Sequence, residues 1–179
     1  MNTKNFLKLQ VFALLFAAII SPLSALAGAT AKQETIEFAL GTYEKVEWFT
    51  KSSCPTTIGG TITGIGAGSI TAKGESKSLG VLFLTADDCI TPLDTTFTRF
   101  IAEGNLTLTA GKGNNIMAHY SVSFVPTETE SIYKYENFTL QITGGTGRFK
   151  GISGSGTADG TSNIVTGLGF VEGIINISK

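Results

Sequence analysis

Beyond about residue 30 the apolar positions recur at every second residue rather than every third or fourth. In "IMAHYSVSF" (116–124), Ile116, Ala118, Tyr120, Val122 and Phe124 fall on one face, while His119, Ser121 and Ser123 fall on the other. A period of two places successive side chains on opposite faces of an extended strand, with one face buried and one wet. Short runs of β-branched and aromatic residues between Gly, Asn and Asp repeat along the chain and predict strands over 35–40, 45–50, 57–66, 69–73, 80–86, 95–102, 105–110, 116–124, 133–143, 148–157 and 169–177. Some of these neighbours join into single bent strands, which leaves about eight to ten. That number at such short spacing fits an antiparallel barrel or sandwich better than an open sheet.

"GVLFLTA" (80–86) departs from the alternation because both of its faces are apolar. It reads as a strand packed on each side, or as one covered on the outside by a terminal segment. "AGKGNN" (110–115), "PTETES" (126–131) and "TADGTSN" (157–163) read as hairpin loops.

"GGTGRFKGISGSG" (144–156) could be either a phosphate-binding loop or a turn. A phosphate loop needs a helix after it, so that amides and the helix N-terminus face the anion, yet Gly and Ser crowd the residues beyond Phe149. The stretch therefore reads as a structural turn built on Gly144, Gly145, Gly147, Arg148 and Phe149. Gly154 and Gly156 then share a face with Ile152 on the departing strand, where the missing side chains admit a close neighbour or a sharp bend.

The first residues place Lys4 and Lys8 before an apolar run from Val11 to Ile20, then Pro22 and the small residues Ala25 and Ala27. This is the pattern of a cleavable signal peptide over 1–27, with one domain over 28–179 in a secreted or periplasmic protein. The run is short for a membrane span, so no membrane association is expected after cleavage. Without this leader the chain has 11 basic and 14 acidic residues, a net charge of −3, with the basic residues scattered. Nucleic acid has no electrostatic reason to bind such a surface. Cys54 and Cys89 are the only cysteines, and an exported chain with one such pair is expected to join them. The chain-entropy effect of that link is about 3–4 kcal/mol.

Candidates for chemistry are few. One His and two paired cysteines supply no metal set, and no cofactor is expected. His119 lies on the polar face of a strand with no nucleophile elbow in the chain. Asp87 and Asp88 are adjacent, so a strand would point them to opposite faces; they read as the start of a turn before Cys89 rather than as a calcium loop. Asn105, Asn137 and Asn176 form glycosylation sequons, which count only in a eukaryotic source. The aromatic residues either fill the interior or line space for one small ligand. For a lining, the candidates are Trp48, Phe100, Tyr120 and Phe124. Arg99 either orients an anionic head group or faces water.

"ITGGTGRFKG" (142–151), followed by Gly154-Ser155-Gly156, resembles the Gly-Gly-Thr-Gly-x-Phe turn of the allene oxide cyclase and dirigent barrel superfamily, most of all its secreted bacterial members. "GTITGIGAGSITAKGES" between the two cysteines, and the later Leu84-Thr85-Ala86, are similar to those members too. The resemblance implies an all-β, calycin-like antiparallel barrel of eight strands with a largely apolar interior. The activity of the plant members depends on polar residues inside the barrel, and none of these can be matched to a position here.

The expected function is that of a non-enzymatic exported barrel binding an apolar small molecule or a surface partner. Two alternatives stand beside it: a cyclase- or isomerase-like enzyme steering a reactive apolar intermediate, and a purely structural protein. The enzyme requires a polar pair inside the barrel, whereas the structural protein requires a filled interior.

Overall fold

A computed structural model describes residues 32–179. The predicted leader over 1–27 lies outside them. Eight strands run in chain order: β1 (Gln33–Glu47), β2 (Gly59–Ala72), β3 (Glu75–Pro92), β4 (Phe100–Ala110), β5 (Asn115–Pro126), β6 (Ile132–Gly145), β7 (Ser153–Asn163) and β8 (Leu168–Ser178). Each pairs antiparallel with the next, and β8 returns to β1, so the sheet closes into a barrel. Closure leaves no strand edge unpaired.

Several predicted strands merge. Residues 35–40 and 45–47 belong to β1, with Trp48–Thr50 already in the turn, and 57–66 joins 69–73 in β2. Residues 95–99 form a loop before β4. "TADGTSN", read as a hairpin loop, lies within β7, and the reversal comes after it at 164–167. Composition misled there because Gly160 marks close packing rather than a turn: a Cβ at Gly160 would overlap the Phe170 carbonyl oxygen and sit 2.8 Å from the Tyr135 ring. Gly154 and Gly156 behave alike, since a Cβ at either would overlap a β8 carbonyl oxygen, that of Asn176 or Ile174.

The barrel interior divides into two halves. Ile36, Phe38, Leu40, Ile70, Leu82, Leu108, Ile116, Ile142, Ile175 and Ile177 are buried in the half toward the β2–β3, β4–β5 and β6–β7 connections. Phe149, on a single 3-10 turn (Gly147–Phe149), is also fully buried there. The predicted turn is therefore a stopper for this end of the barrel. Gly147 has φ +59 and abuts the Asn114 side chain, while the Arg148 amide donates to Asn114 Oδ1 at 2.9 Å. The Arg148 guanidinium lies 5.0 Å from the centre of the Phe149 ring.

In β3, Leu82 and Leu84 point inward, but Val81 and Phe83 are half exposed, and no described segment covers them. With Tyr43, Ile65, Leu168 and Phe170 they make an apolar outer face, so the expected outer cover over "GVLFLTA" is not found among the described residues.

At the opposite end the β1–β2 loop folds over the barrel and is fastened by the Cys54–Cys89 disulfide. Thr56 Oγ1 donates to the Ile90 carbonyl at 2.5 Å, and Ile58 is buried beneath the loop. Alkylation of the denatured, unreduced protein should therefore add nothing. Labelling of both thiols would show the bond absent in solution, and a covalent dimer would show it formed between chains.

Candidate functional site

The polar group of the interior is built by strand register. Gly60 on β2, Asp88 on β3, Gly104 on β4 and Tyr120 on β5 lie in one row across four strands. The glycines on either side of Asp88 leave its carboxylate room, and a Cβ at Gly104 would stand 2.8 Å from Asp88 Cβ. Across that gap the Tyr120 hydroxyl donates to Asp88 Oδ2 at 2.6 Å, and the Gly60 amide donates to Oδ1 at 2.7 Å. Both acceptor oxygens of Asp88 are thus occupied by neutral donors. Burial holds its carboxyl above the ordinary range, against the pull of these bonds and of Lys51.

Lys51 reaches in from the β1–β2 loop and is itself buried. Its Nζ donates to the carbonyl oxygens of Gly60 and Asp88, both at 2.7 Å, and lies 3.0 Å from Asp87 Oδ1. Asp87 points outward and is well exposed, so the adjacent acids do face opposite ways. They do so within a strand, not in the turn expected from sequence, and Asp88 belongs to the core.

Glu44 on β1 completes the group. It continues the inward series Ile36, Phe38, Leu40 and Thr42, and its Oε1 is buried without a hydrogen-bond partner. Burial and the neighbouring Asp88 push its carboxyl up to about 8, with Lys51 opposing. At neutral pH Glu44 is therefore mainly protonated. Tyr135 on β6 is raised to about 12, chiefly by burial, against the pull of the buried Ser162 hydroxyl on β7 and of Thr42 on β1.

A cavity opens beside these groups, lined by Glu44, Thr42, Tyr120, Phe124, Tyr135 and Phe138 together with aliphatic residues of β2–β5 and β8. A second compartment, lined by Glu44, Val46, Trp48, Ile90, Phe100, Phe124 and Ile164, leads toward the covered end. Each offers about 30 Å³ to the centres of water molecules, room for roughly two waters. Glu44 and Phe124 border both. The wall is irregular at β6, where pairing to β7 skips from Lys134 to Phe138 and Asn137 has φ +53. This bulge turns both Tyr135 and Phe138 inward despite their odd spacing.

Of the residues singled out in sequence, Tyr120 and Phe124 line the inner compartment, and Trp48, Phe100 and Phe124 the outer one. Arg99 lines neither; it is half exposed, 4.0 Å from Glu136. His119 is on the outer surface, its Nδ1 3.4 Å from Asn105 Oδ1. Sequence reading passed over Glu44, Lys51 and Ser162, assigned Asp88 to a turn, and left Tyr135 and Phe138 among the aromatic residues that fill or line the interior without naming them as candidates. A signal was present for Glu44, since it falls in phase with four inward residues of β1. Among the described residues no group of three or more His, Cys, Asp or Glu side chains is placed to hold a metal.

Fold and site together define a closed eight-stranded antiparallel β-barrel with an acidic, aromatic-lined chamber inside it. No protein-family model matches the chain, and no curated protein does either. Among solved structures the chain is similar to that of the pterocarpan synthase dirigent protein GePTS1, at 15% identity and a TM-score of 0.43, covering 92% of this chain and 98% of that one.

Proposed function

We propose that this protein is an exported binding barrel that takes one small, largely apolar molecule into its interior and holds the molecule's polar end at Glu44. The observation that carries this reading is Glu44 Oε1, buried at the border of two cavity compartments with no partner of its own. A barrel that served only as a scaffold would gain stability from an apolar residue there, because an unsatisfied buried carboxyl is costly. Perturbed acids in a cavity cluster at functional sites for this reason. The disulfide is compatible with export. The compartments are small, so a ligand enters by displacing side chains.

Trp48, the single tryptophan, lines the outer compartment and reports on the interior. Titration with neutral aromatic and terpenoid probes is expected to shift its emission saturably, at one probe per chain. Ala86→Leu, which fills the inner compartment, should weaken that binding on the order of ten-fold or more. Absence of saturable binding across the series would leave a structural protein.

A second reading, an enzyme steering an apolar intermediate, is favoured by one observation. A carboxylic acid titrating at about 8 is matched to general acid or base work near neutral pH. It requires a product distinct from the bound molecule, recoverable from the wild type and not from Glu44→Gln.

A further inference from the structure

We propose that the polar end of the ligand is a cation, so that the barrel takes a small aromatic amine with its ammonium against Glu44 Oε1 and its ring among Phe124, Tyr135 and Phe138. This rests on the binding reading above and specifies its ligand class.

The charges inside the barrel carry the argument. Two carboxyl groups, Glu44 and Asp88, crowd against the same glycine: a Cβ at Gly60 would lie 2.7 Å from Glu44 Oε1 and 3.0 Å from Asp88 Oδ1, and of the two carboxyl groups Glu44 borders the cavity. Among the described residues one cation, Lys51, reaches into the interior at this end, and its ion-pair partner is Asp87 on the outer side. Its other contacts are backbone oxygens, so neither interior carboxylate has a cation in direct contact. Each oxygen of Asp88 already accepts a hydrogen bond, from the Gly60 amide or the Tyr120 hydroxyl. Glu44 Oε1 is the interior carboxyl oxygen that has no donor among the described residues.

An ammonium supplies what the ionised form of Glu44 lacks, namely a hydrogen-bond donor and a compensating charge in a desolvated setting. The surrounding rings favour the same occupant. Phe124 and Tyr135 pack edge to face at 5.1 Å, as do Tyr135 and Phe138 at 5.8 Å, and aromatic faces attract a desolvated cation.

The groups facing Glu44 are Asp88 on β3, Tyr120 on β5, Tyr135 on β6 and Lys51 in the β1–β2 loop. Without a ligand, burial and Asp88 keep Glu44 mainly protonated at neutral pH. An arriving ammonium reverses that balance, so the amine should bind with release of a proton and bind more tightly as pH rises toward 8. A neutral ligand that accepts a hydrogen bond needs protonated Glu44 and should show the opposite trend.

Benzylamine and benzyl alcohol, nearly equal in shape, separate the two cases by calorimetry and Trp48 emission on the oxidised protein. Benzylamine is expected to bind on the order of ten-fold tighter at about pH 8.5 than at about pH 6.5, with proton release seen in buffers of different ionisation enthalpy. Glu44→Gln should remove that pH dependence and weaken benzylamine while sparing benzyl alcohol. If the alcohol binds better than the amine at both pH values and loses affinity as pH rises, Glu44 is a donor; the cation inference is then overturned and the binding reading stands. If neither probe binds while a neutral aromatic or terpenoid probe does, the cation inference alone fails; if nothing in either set binds, both fail.

Discussion

Glu44→Gln is expected to raise the stability of the ligand-free protein at pH 8 and above on the order of 3–4 kcal/mol, and to change it little at about pH 4. The carboxyl titrates at about 8 in the folded protein against an ordinary value of 4.5. Between those values the folded state binds the proton and the unfolded state does not. Stability from this group is therefore fully present below about 4.5 and is lost progressively as pH rises to about 8, where folding must bury a charge. Glutamine keeps the shape and has no charge to bury. Urea denaturation across this pH range measures the effect: the wild type should lose stability with rising pH, and the variant should show a flatter profile. Parallel profiles would mean that Glu44 is hydrated in solution, which removes the basis for a ligand-facing acid.

Gly147→Val is expected to cost about 3–5 kcal/mol, with the denaturation midpoint lowered equally with and without probe ligands. Two effects add. Valine is strained at φ +59, and its Cβ would overlap Asn114 Oδ1 and stand 2.6 Å from the Gly113 carbonyl oxygen. Relief requires moving the β4–β5 connection or the 3-10 turn, and the turn carries Phe149, whose side chain closes that end of the barrel. Denaturation monitored by circular dichroism tests it. A variant of unchanged stability that no longer binds ligand would make this stretch a site instead of a stopper.

The two substitutions lie at opposite ends of the barrel, and the chain encodes those ends differently. At the Phe149 end the information is local. Clustered glycines, an aromatic residue and the loss of alternation mark a reversal whatever the rest of the chain does, and the structure places one there. At the Glu44 end the chemistry comes from β1, β3, β5, β6, β7 and a loop, and what joins them is register. Asp88 and Tyr120 lie 32 positions apart in the chain, and they meet because β3 pairs with β4 and β4 with β5 so that Gly104 falls between them. No local pattern encodes that alignment. In "TADDCIT" the pair Asp87-Asp88 has the polarity of a turn, and only the long β3 strand carries Asp88 inward.

Tyr135 and Phe138 were closer to legible. In "YKYENFTLQI" the inward series Tyr133, Tyr135 changes parity to Phe138, Leu140, Ile142, which marks an inserted residue and hence a bulge. An all-β domain of strands with one apolar face, the Phe149 turn and the cysteine pair are all written in the chain, because alternation, glycine conformation and cysteine count act within a strand or a short stretch. The closed ring, the partner of each strand and the gathering of Glu44, Asp88, Tyr120 and Tyr135 in one chamber arise only on folding. Side chains alternate along a strand with a period of two residues, so a local pattern sets which face a side chain takes but not which distant side chain it meets.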